Sequence, residues 1–213
     1  MSEAAKGYAW HSNASMPFHA IGFTCELARD QEAFTKHWVG FITGDITVRG
    51  GLPKSMWIAS DAPDEDQKLR KLPDSFVAGD FFIVSQKIAF VFQSFNLGSS
   101  ALLPVDMLKK HRQERFDGNF YMFHVTEKKS AFLPDHSENY DKPRYDDDEY
   151  LGSVRLGRTK DDEIAVAASA LDGPDVWKDP TLLGSLFFSD PLYAALSKAD
   201  VLGNAQTIRC RAV

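Results

Sequence analysis

"FFIVSQKIAFVFQSF", Phe81 to Phe95, and "LFFSDPLYAALSKA", Leu186 to Ala199, use the same grammar twice. An apolar run ends at a serine, Ser85 or Ser189, and a run with helical spacing begins directly after it. Three, six, seven and ten residues beyond Ser85 stand Ile88, Val91, Phe92 and Phe95; the same offsets from Ser189 reach Leu192, Ala195, Leu196 and Ala199. That spacing is the stripe of a helix with one buried face. Each serine takes the N-cap position, where a hydroxyl accepts from an otherwise unpaired N–H of the first turn. In the second run Asp190 suits the positive helix start, and Pro191 the first turn, where a missing N–H costs little.

The runs before the serines, "DFFIV" and "SLFF", are too apolar for half-exposed strands, and each helix is followed by a further strand pattern. After the first comes "ALLPVDML", with Pro104 at an edge or bulge. After the second comes "QTIRCRAV", in which Ile208, Cys210 and Ala212 alternate with Arg209 and Arg211, the pattern of a strand with one buried face. The reading is therefore α+β or α/β: mixed β-sheets with a few packed helices and two similar strand-helix-strand units. The serines lie 104 residues apart, too far for a solenoid repeat.

Further strands are read in "HAIGFTCEL", "DITVRGGLP", "SMWIAS", "NFYMFHVT", "YLGSVRLGRT" and "EIAVAASAL", the second and third pairing as a hairpin across the glycine turn. Helices are read in "DQEAFTKHWVGFI" and around Gln67 to Leu72. Residues 1–15, poor in large apolar side chains, read as a flexible arm. Residues 16–213 read as one compact domain with two similar halves, about 16–134 and 150–213, joined by an acidic segment, 135–150.

With 16 Phe and 4 Trp among 213 residues, and 25% charged, the chain can bury a sizeable core. No apolar stretch reaches the roughly 20 residues of a membrane span, and the start lacks a signal-peptide pattern, so a cytoplasmic location without membrane contact is expected. Cys25 and Cys210 are too few for a disulfide framework or a thiolate zinc site, and read as reduced and buried. The net charge is −6, and Asp135 to Tyr150 carries seven acids against two bases. One segment thus supplies most of the imbalance, which repels nucleic acid and suits a basic protein partner.

Catalytic chemistry leaves no comparable trace. Histidines 11, 19, 37, 111, 124 and 136 make no metal-ligand spacing, and His124, among aromatics, reads as packed. No phosphate-binding loop is present, and neither Ser85 nor Ser189 lies in the glycine-flanked turn of a nucleophile elbow. "KKHRQER", Lys109 to Arg115, reads as a solvated face or turn. No catalytic, cofactor-binding or metal-binding residue is assigned. In "PDVWKDP", Pro174 to Pro180, Asp175 and Asp179 each start a turn, Pro180 fits a first helical position, and Trp177 covers the core between them.

The order "KLPDSF", "GDFFIVSQKIAFVF", "LLPVDM", then "GPDVWKDPTLLGSLFFSDPLYAAL" and a closing basic strand, resembles the bacterial immunity proteins of polymorphic toxin systems, family eleven. The resemblance runs from about Leu72 to the C-terminus, with Trp177, Asp179, Phe188, Ser189 and Leu192 at matching places. It implies a non-enzymatic protein that binds and neutralises a cognate toxin by direct contact. The charge pattern agrees, because an acidic protein associates rapidly with a basic partner. Tyr145, Asp146, Asp147, Asp148, Glu149 and Tyr150 are the candidate toxin-facing residues. The alternatives are an enzyme or small-ligand-binding protein with a site assembled from scattered residues, and a structural adaptor.

Overall fold

Gly7–Asn13 forms a strand, β1, hydrogen-bonded along both edges. These residues therefore do not belong to a flexible arm. Gly, Ser, His and Asn are weak strand formers, and it is pairing on both sides that fixes the conformation. The computed structural model describes residues 7–13, 19–142, 151–155, 157–202 and 207–213. The chain divides into two units. One comprises Phe18–Val91 and Ser99–Thr126; the other comprises Met1–Pro17, Phe92–Gly98 and Glu127–Val213. The boundaries thus differ from halves at 16–134 and 150–213, because β1 pairs with strands from the far end of the sequence.

The Phe18–Thr126 unit holds β2 (His19–Ile21), β3 (Phe23–Thr24), α1 (Gln31–Thr43), β4 (Ser55–Ile58), α2 (Asp64–Gln67), β5 (Ser75–Ala78), β6 (Phe81–Ser85), the helix α3 (Gln86–Phe92), β7 (Ala101–Leu108) and β8 (Phe120–His124). Its sheet runs β2-β5-β6-β8-β7-β4-β3. Asp30 starts α1 by accepting from the N–H groups of Glu32 and Ala33, and Gly44, at φ 76°, ends it. Gly79 and Asp80, at φ 48° and 67°, make the tight β5–β6 turn. A Cβ at Gly79 would stand 2.9 Å from the Met56 side chain and 3.3 Å from the Phe23 carbonyl, so glycine is required there. Phe76, Phe81, Ile83, Met122 and Phe123 are fully buried.

Three local expectations change in this unit. Ile46–Gly51 is a 3-10 helix, not a strand, because Asp45 caps it by accepting from Thr47 N–H. β4 consequently pairs with β3 and β7, not across the glycine turn. The short helix after Pro63 occupies Asp64–Gln67 instead of Gln67 to Leu72, with three acids in its first turn.

The other unit continues with β9 (Gly152–Ser153), β10 (Ala165–Val166), β11 (Val176–Trp177), β12 (Leu182–Leu183), β13 (Ser185–Ser189), α4 (Asp190–Lys198) and β14 (Ile208–Ala212). Its main sheet runs β10-β14-β1-β13-β11, while β9 and β12 form a separate parallel pair. Only short strands survive from "YLGSVRLGRT" and "EIAVAASAL", the latter turning into a 3-10 helix at Ala168–Leu171. Pro180 lies in the turn before β12 and starts no helix. Trp177 and Phe187 stack at 5.4 Å in a core with Ile164, Val166, Leu182 and Cys210. Both cysteines are free and buried.

The two units share one topology. In the order β5-β6-β8-β7-β4 and in the order β11-β13-β1-β14-β10, every neighbour relation matches, antiparallel three times and then parallel. Registers match as well. Phe76 opposes Ile83 and Met122 opposes Ile83, as Trp177 opposes Phe187 and His11 opposes Phe187. In each unit an aspartate follows a proline, Asp74 or Asp175, and receives the serine twice. Its carbonyl accepts the serine N–H, at 2.7 Å for Ser85 and 2.8 Å for Ser189. Its carboxylate accepts the serine hydroxyl at 2.6 Å in both. The order in sequence differs, for β8 follows β7 whereas its counterpart β1 precedes everything else, so one unit is a circular permutation of the other.

Ser189 caps α4 as read from the sequence, accepting from Leu192 N–H at 3.3 Å, and Leu192 and Leu196 are buried beneath that helix. Ser85 stands directly before α3, where Ile88, Ala89 and Phe92 are buried. Ser189→Ala removes the cap and the bond to Asp175. A loss of about 1–2 kcal/mol is expected, read as a lower urea midpoint at unchanged slope.

Candidate functional site

The residues singled out around "PDVWKDP" are framework. Asp175 joins Ser189 through one carboxylate oxygen and accepts from Asn96 N–H through the other, at 2.8 Å. Trp177 is fully buried under Lys129, whose ammonium lies 4.1 Å from the ring centre. Asp179 is a buried hub. Its Oδ2 accepts from Ala131 N–H and Phe132 N–H, both at 2.7 Å. Its Oδ1 accepts from Thr181 N–H at 2.8 Å and from the Thr181 hydroxyl at 2.6 Å. Its own N–H donates to Ser185 Oγ, which donates back to the Asp179 carbonyl.

This hub leads to the base of the acidic segment. Tyr145, Asp146, Asp147, Asp148, Glu149 and Tyr150 lie outside the described residues. On the near side, Asp141 exchanges two backbone hydrogen bonds with Ser153, each 2.9 Å, and pairs with the Arg155 guanidinium. On the far side, Leu151 N–H donates to the Thr181 carbonyl at 2.7 Å, and Thr181 is held by Asp179. The two ends of the segment are thereby pinned, and the buried carboxylate of Asp179 supports one of the pins.

Two features escaped the sequence reading. One is an aromatic and arginine surface on the sheet of this unit. Trp10 stacks on Tyr193 with centroids 3.6 Å apart and donates from its indole N–H to Asp190 at 2.8 Å. Arg209 grips Asp162 bidentately and lies 4.7 Å from the exposed Tyr8 ring. Trp, Tyr and Arg are the residue types that carry most binding energy in protein interfaces. The signal was present in the alternation of Tyr8 and Trp10, and of Arg209 and Arg211, but only strand pairing brings the two rows together.

The other is Lys129, whose ammonium donates to the carbonyls of Ala170, Asp172 and Pro174 at 2.7, 2.9 and 2.7 Å. One cation closes the end of the 3-10 helix and the turn that leads into β11. The groups with shifted proton affinity in this unit include His11, Lys129, Lys178 and Cys210, and in each burial is the first cause. Such shifts mark packing more than a paired acid and base. In the other unit His124 is packed as expected, stacked on Phe41 at 5.1 Å and accepting from Arg49.

Among the described residues no three His, Cys, Asp or Glu side chains are grouped to hold a metal ion, and no helix is long and apolar enough to cross a membrane. No curated protein matches the sequence. The model of the immunity protein family Imm11 matches residues 41–206, which include most of both units and every framework residue described above. With well over half of its length matched, the chain belongs to the Imm11 immunity protein family.

Proposed function

We propose that the protein neutralises a cognate bacterial toxin in the cytoplasm by binding it directly, without catalysis of its own. The observation that carries this reading is the family match, since immunity proteins protect against toxins. Charge supports a basic partner: the net charge is −6, and most of it comes from the segment between Asp135 and Tyr150. Tyr145, Asp146, Asp147, Asp148, Glu149 and Tyr150 supply the contact, and the described residues on either side, Asp141 and Leu151, are bonded to Ser153 and Thr181. Co-expression with the product of the neighbouring gene tests the reading. Rescue of growth together with co-purification is the expected result, and neither of the two occurring rejects it.

Converting Asp146, Asp147 and Asp148 to Asn and Glu149 to Gln is expected to slow association about tenfold at low salt and to flatten its salt dependence. Stopped-flow association at several ionic strengths measures both. Unchanged rates would remove this segment from the contact surface.

A further inference from the structure

Three cationic side chains converge on one cavity of the Phe18–Thr126 unit. Its volume is about 360 Å³, at the lower end of the roughly 300–1,000 Å³ of small-molecule sites. Arg29, Lys110 and Arg112 line it, together with Trp57. Lys110 and Arg112 come from "KKHRQER", whose other charges pair off: Lys109 with Glu114 and Arg115 with Asp106. What reads as a solvated turn therefore delivers two cations to a pocket.

Arg112 is held firmly. Its backbone is left-handed, at φ 59°, a conformation that a side-chain-bearing residue keeps only where its surroundings impose it. Its guanidinium lies 3.6 Å from the centre of the Trp57 ring, and Nη1 donates to Glu26 at 2.8 Å. Glu26 also receives Arg29 at 2.8 Å, so one carboxylate is shared by two guanidinium groups. Lys110 donates to the neutral Gln67 at 2.7 Å. Among the described residues, the remaining N–H donors of both arginines have no protein acceptor. A planar cation fixed by stacking, with donors left over beyond its bond to Glu26, suits recognition of an oxyanion.

Asp61, Thr24 and Ser60 line the same cavity. A carboxylate beside an anion is favourable only where the ligand also carries hydrogen-bond donors, as the hydroxyl groups of a sugar do. The volume likewise leaves room beyond a bare phosphate. We propose that this cavity binds a phosphorylated sugar or mononucleotide, the phosphate on Arg112, Lys110 and Arg29 and the sugar hydroxyls on Asp61. The site is separate from the toxin-binding reading and does not depend on it.

Calorimetric titration of the full chain with AMP, ribose 5-phosphate, inorganic phosphate, adenosine and succinate tests the site. AMP or ribose 5-phosphate is expected to bind at millimolar or lower concentration, inorganic phosphate more weakly, and adenosine and succinate not at all. Lys110→Gln and Arg112→Gln should each weaken binding about tenfold or more. Arg29→Gln, at an exposed position, provides a check that does not touch the Trp57 stack. Asp61→Asn should weaken AMP but leave inorganic phosphate unchanged. Absence of AMP and ribose 5-phosphate binding overturns the proposal. So does binding that the lysine and arginine variants leave intact, equal binding of succinate, or phosphate binding that gains nothing from the sugar. Toxin co-purification with the Lys110→Gln variant is expected to be unchanged, which separates this result from the fate of the immunity reading.

Discussion

Replacing Asp179 by alanine is expected to destabilise the protein by about 3–5 kcal/mol, measured by urea unfolding, a cost typical of breaking a buried, charge-assisted hydrogen-bond network. Asp179 is 3% exposed, and both carboxylate oxygens are fully engaged by four donors from Ala131, Phe132 and Thr181. Alanine leaves the amides of Ala131 and Phe132 unpaired in the interior. Asparagine should be nearly as harmful, although it has the same shape. A carboxylate only accepts, whereas an amide must turn its NH2 toward one pair of donors, so two favourable contacts become donor against donor. Near-equal losses for Asp179→Ala and Asp179→Asn are the signature; an asparagine variant as stable as the wild type would show that the network is not acceptor-only. Because Thr181 also receives Leu151, the Asp179 variants should also loosen the hold on Leu151.

That hub shows where sequence reading stops. Two of the four donors to Asp179 are backbone groups of Ala131 and Phe132, 48 and 47 residues away, and no side-chain pattern announces them. By contrast, the stripes behind Ser85 and Ser189 were legible because burial of one helix face imposes its spacing on the residues themselves. Ile88, Phe92, Leu192 and Leu196 are buried, whereas Val91, Phe95, Ala195 and Ala199 are only partly so, and Phe95 and Ala199 lie past the ends of α3 and α4. The inward row of β14, Ile208, Cys210 and Ala212, is buried too. "ITVRGG" misled because its β-branched residues favour strands in general, while Asp45 at its start and two glycines at its end fit a short 3-10 helix. The cationic cavity was hidden for another reason: Arg29, Trp57 and Arg112 are far apart in sequence, and each looks like an ordinary surface or core residue until the sheet edge gathers them.

The repeated serine proved to be the visible part of a larger repeat. Each serine is locked to an aspartate that precedes the neighbouring strand, which fixes the strand register in both units, and Ser189 also caps its helix. In linear order β4–β5–β6–α3–β7 and β10–β11–β13–α4–β14 keep their order, and the likeness in sequence is plain in β6–α3–β7 and β13–α4–β14. The fifth strand was missed because permutation moved its counterpart to Gly7–Asn13. Once the two units are aligned by register, unequal residues at equal positions become informative, and one such pair is His11 and Met122.

His11 should make stability fall by about 1.4 kcal/mol per pH unit as pH drops below about 6.5. The ring is 1% exposed, packs edge-on against Phe187 at 5.0 Å, and has no hydrogen-bond partner for either nitrogen among the described residues. Burial pushes its pKa down from 6.5 to about 3. The thiol of Cys210, which donates to the Ile208 carbonyl, is itself pushed up by burial and stays neutral throughout, so it cannot offset the ring's charge. Between those two values the unfolded chain takes up the proton and the native chain does not, so acid favours unfolding; above about 6.5 neither state is protonated and the effect vanishes. Carried to pH 3 the loss on this account is about 5 kcal/mol, a large fraction of a typical domain's stability. Glu114 and Glu163, whose pKa values are lowered by hydrogen bonds from Lys109 and from the Lys160 backbone, add their own losses only below about 4.5. The interval from about 6.5 to 4.5 therefore separates His11 from these carboxylates, and the His11 variant separates it from the other buried histidine, His124. Met122, buried at the equivalent place, supplies the control substitution. His11→Met should reduce the slope in that interval by about 1.4 kcal/mol per pH unit and raise stability at neutral pH, since an unpaired polar ring is replaced by an apolar chain. Urea unfolding of both proteins at pH 7.5, 6, 5 and 4.5 decides the matter. A variant that keeps the wild-type slope would place the acid sensitivity elsewhere and the His11 ring in contact with water.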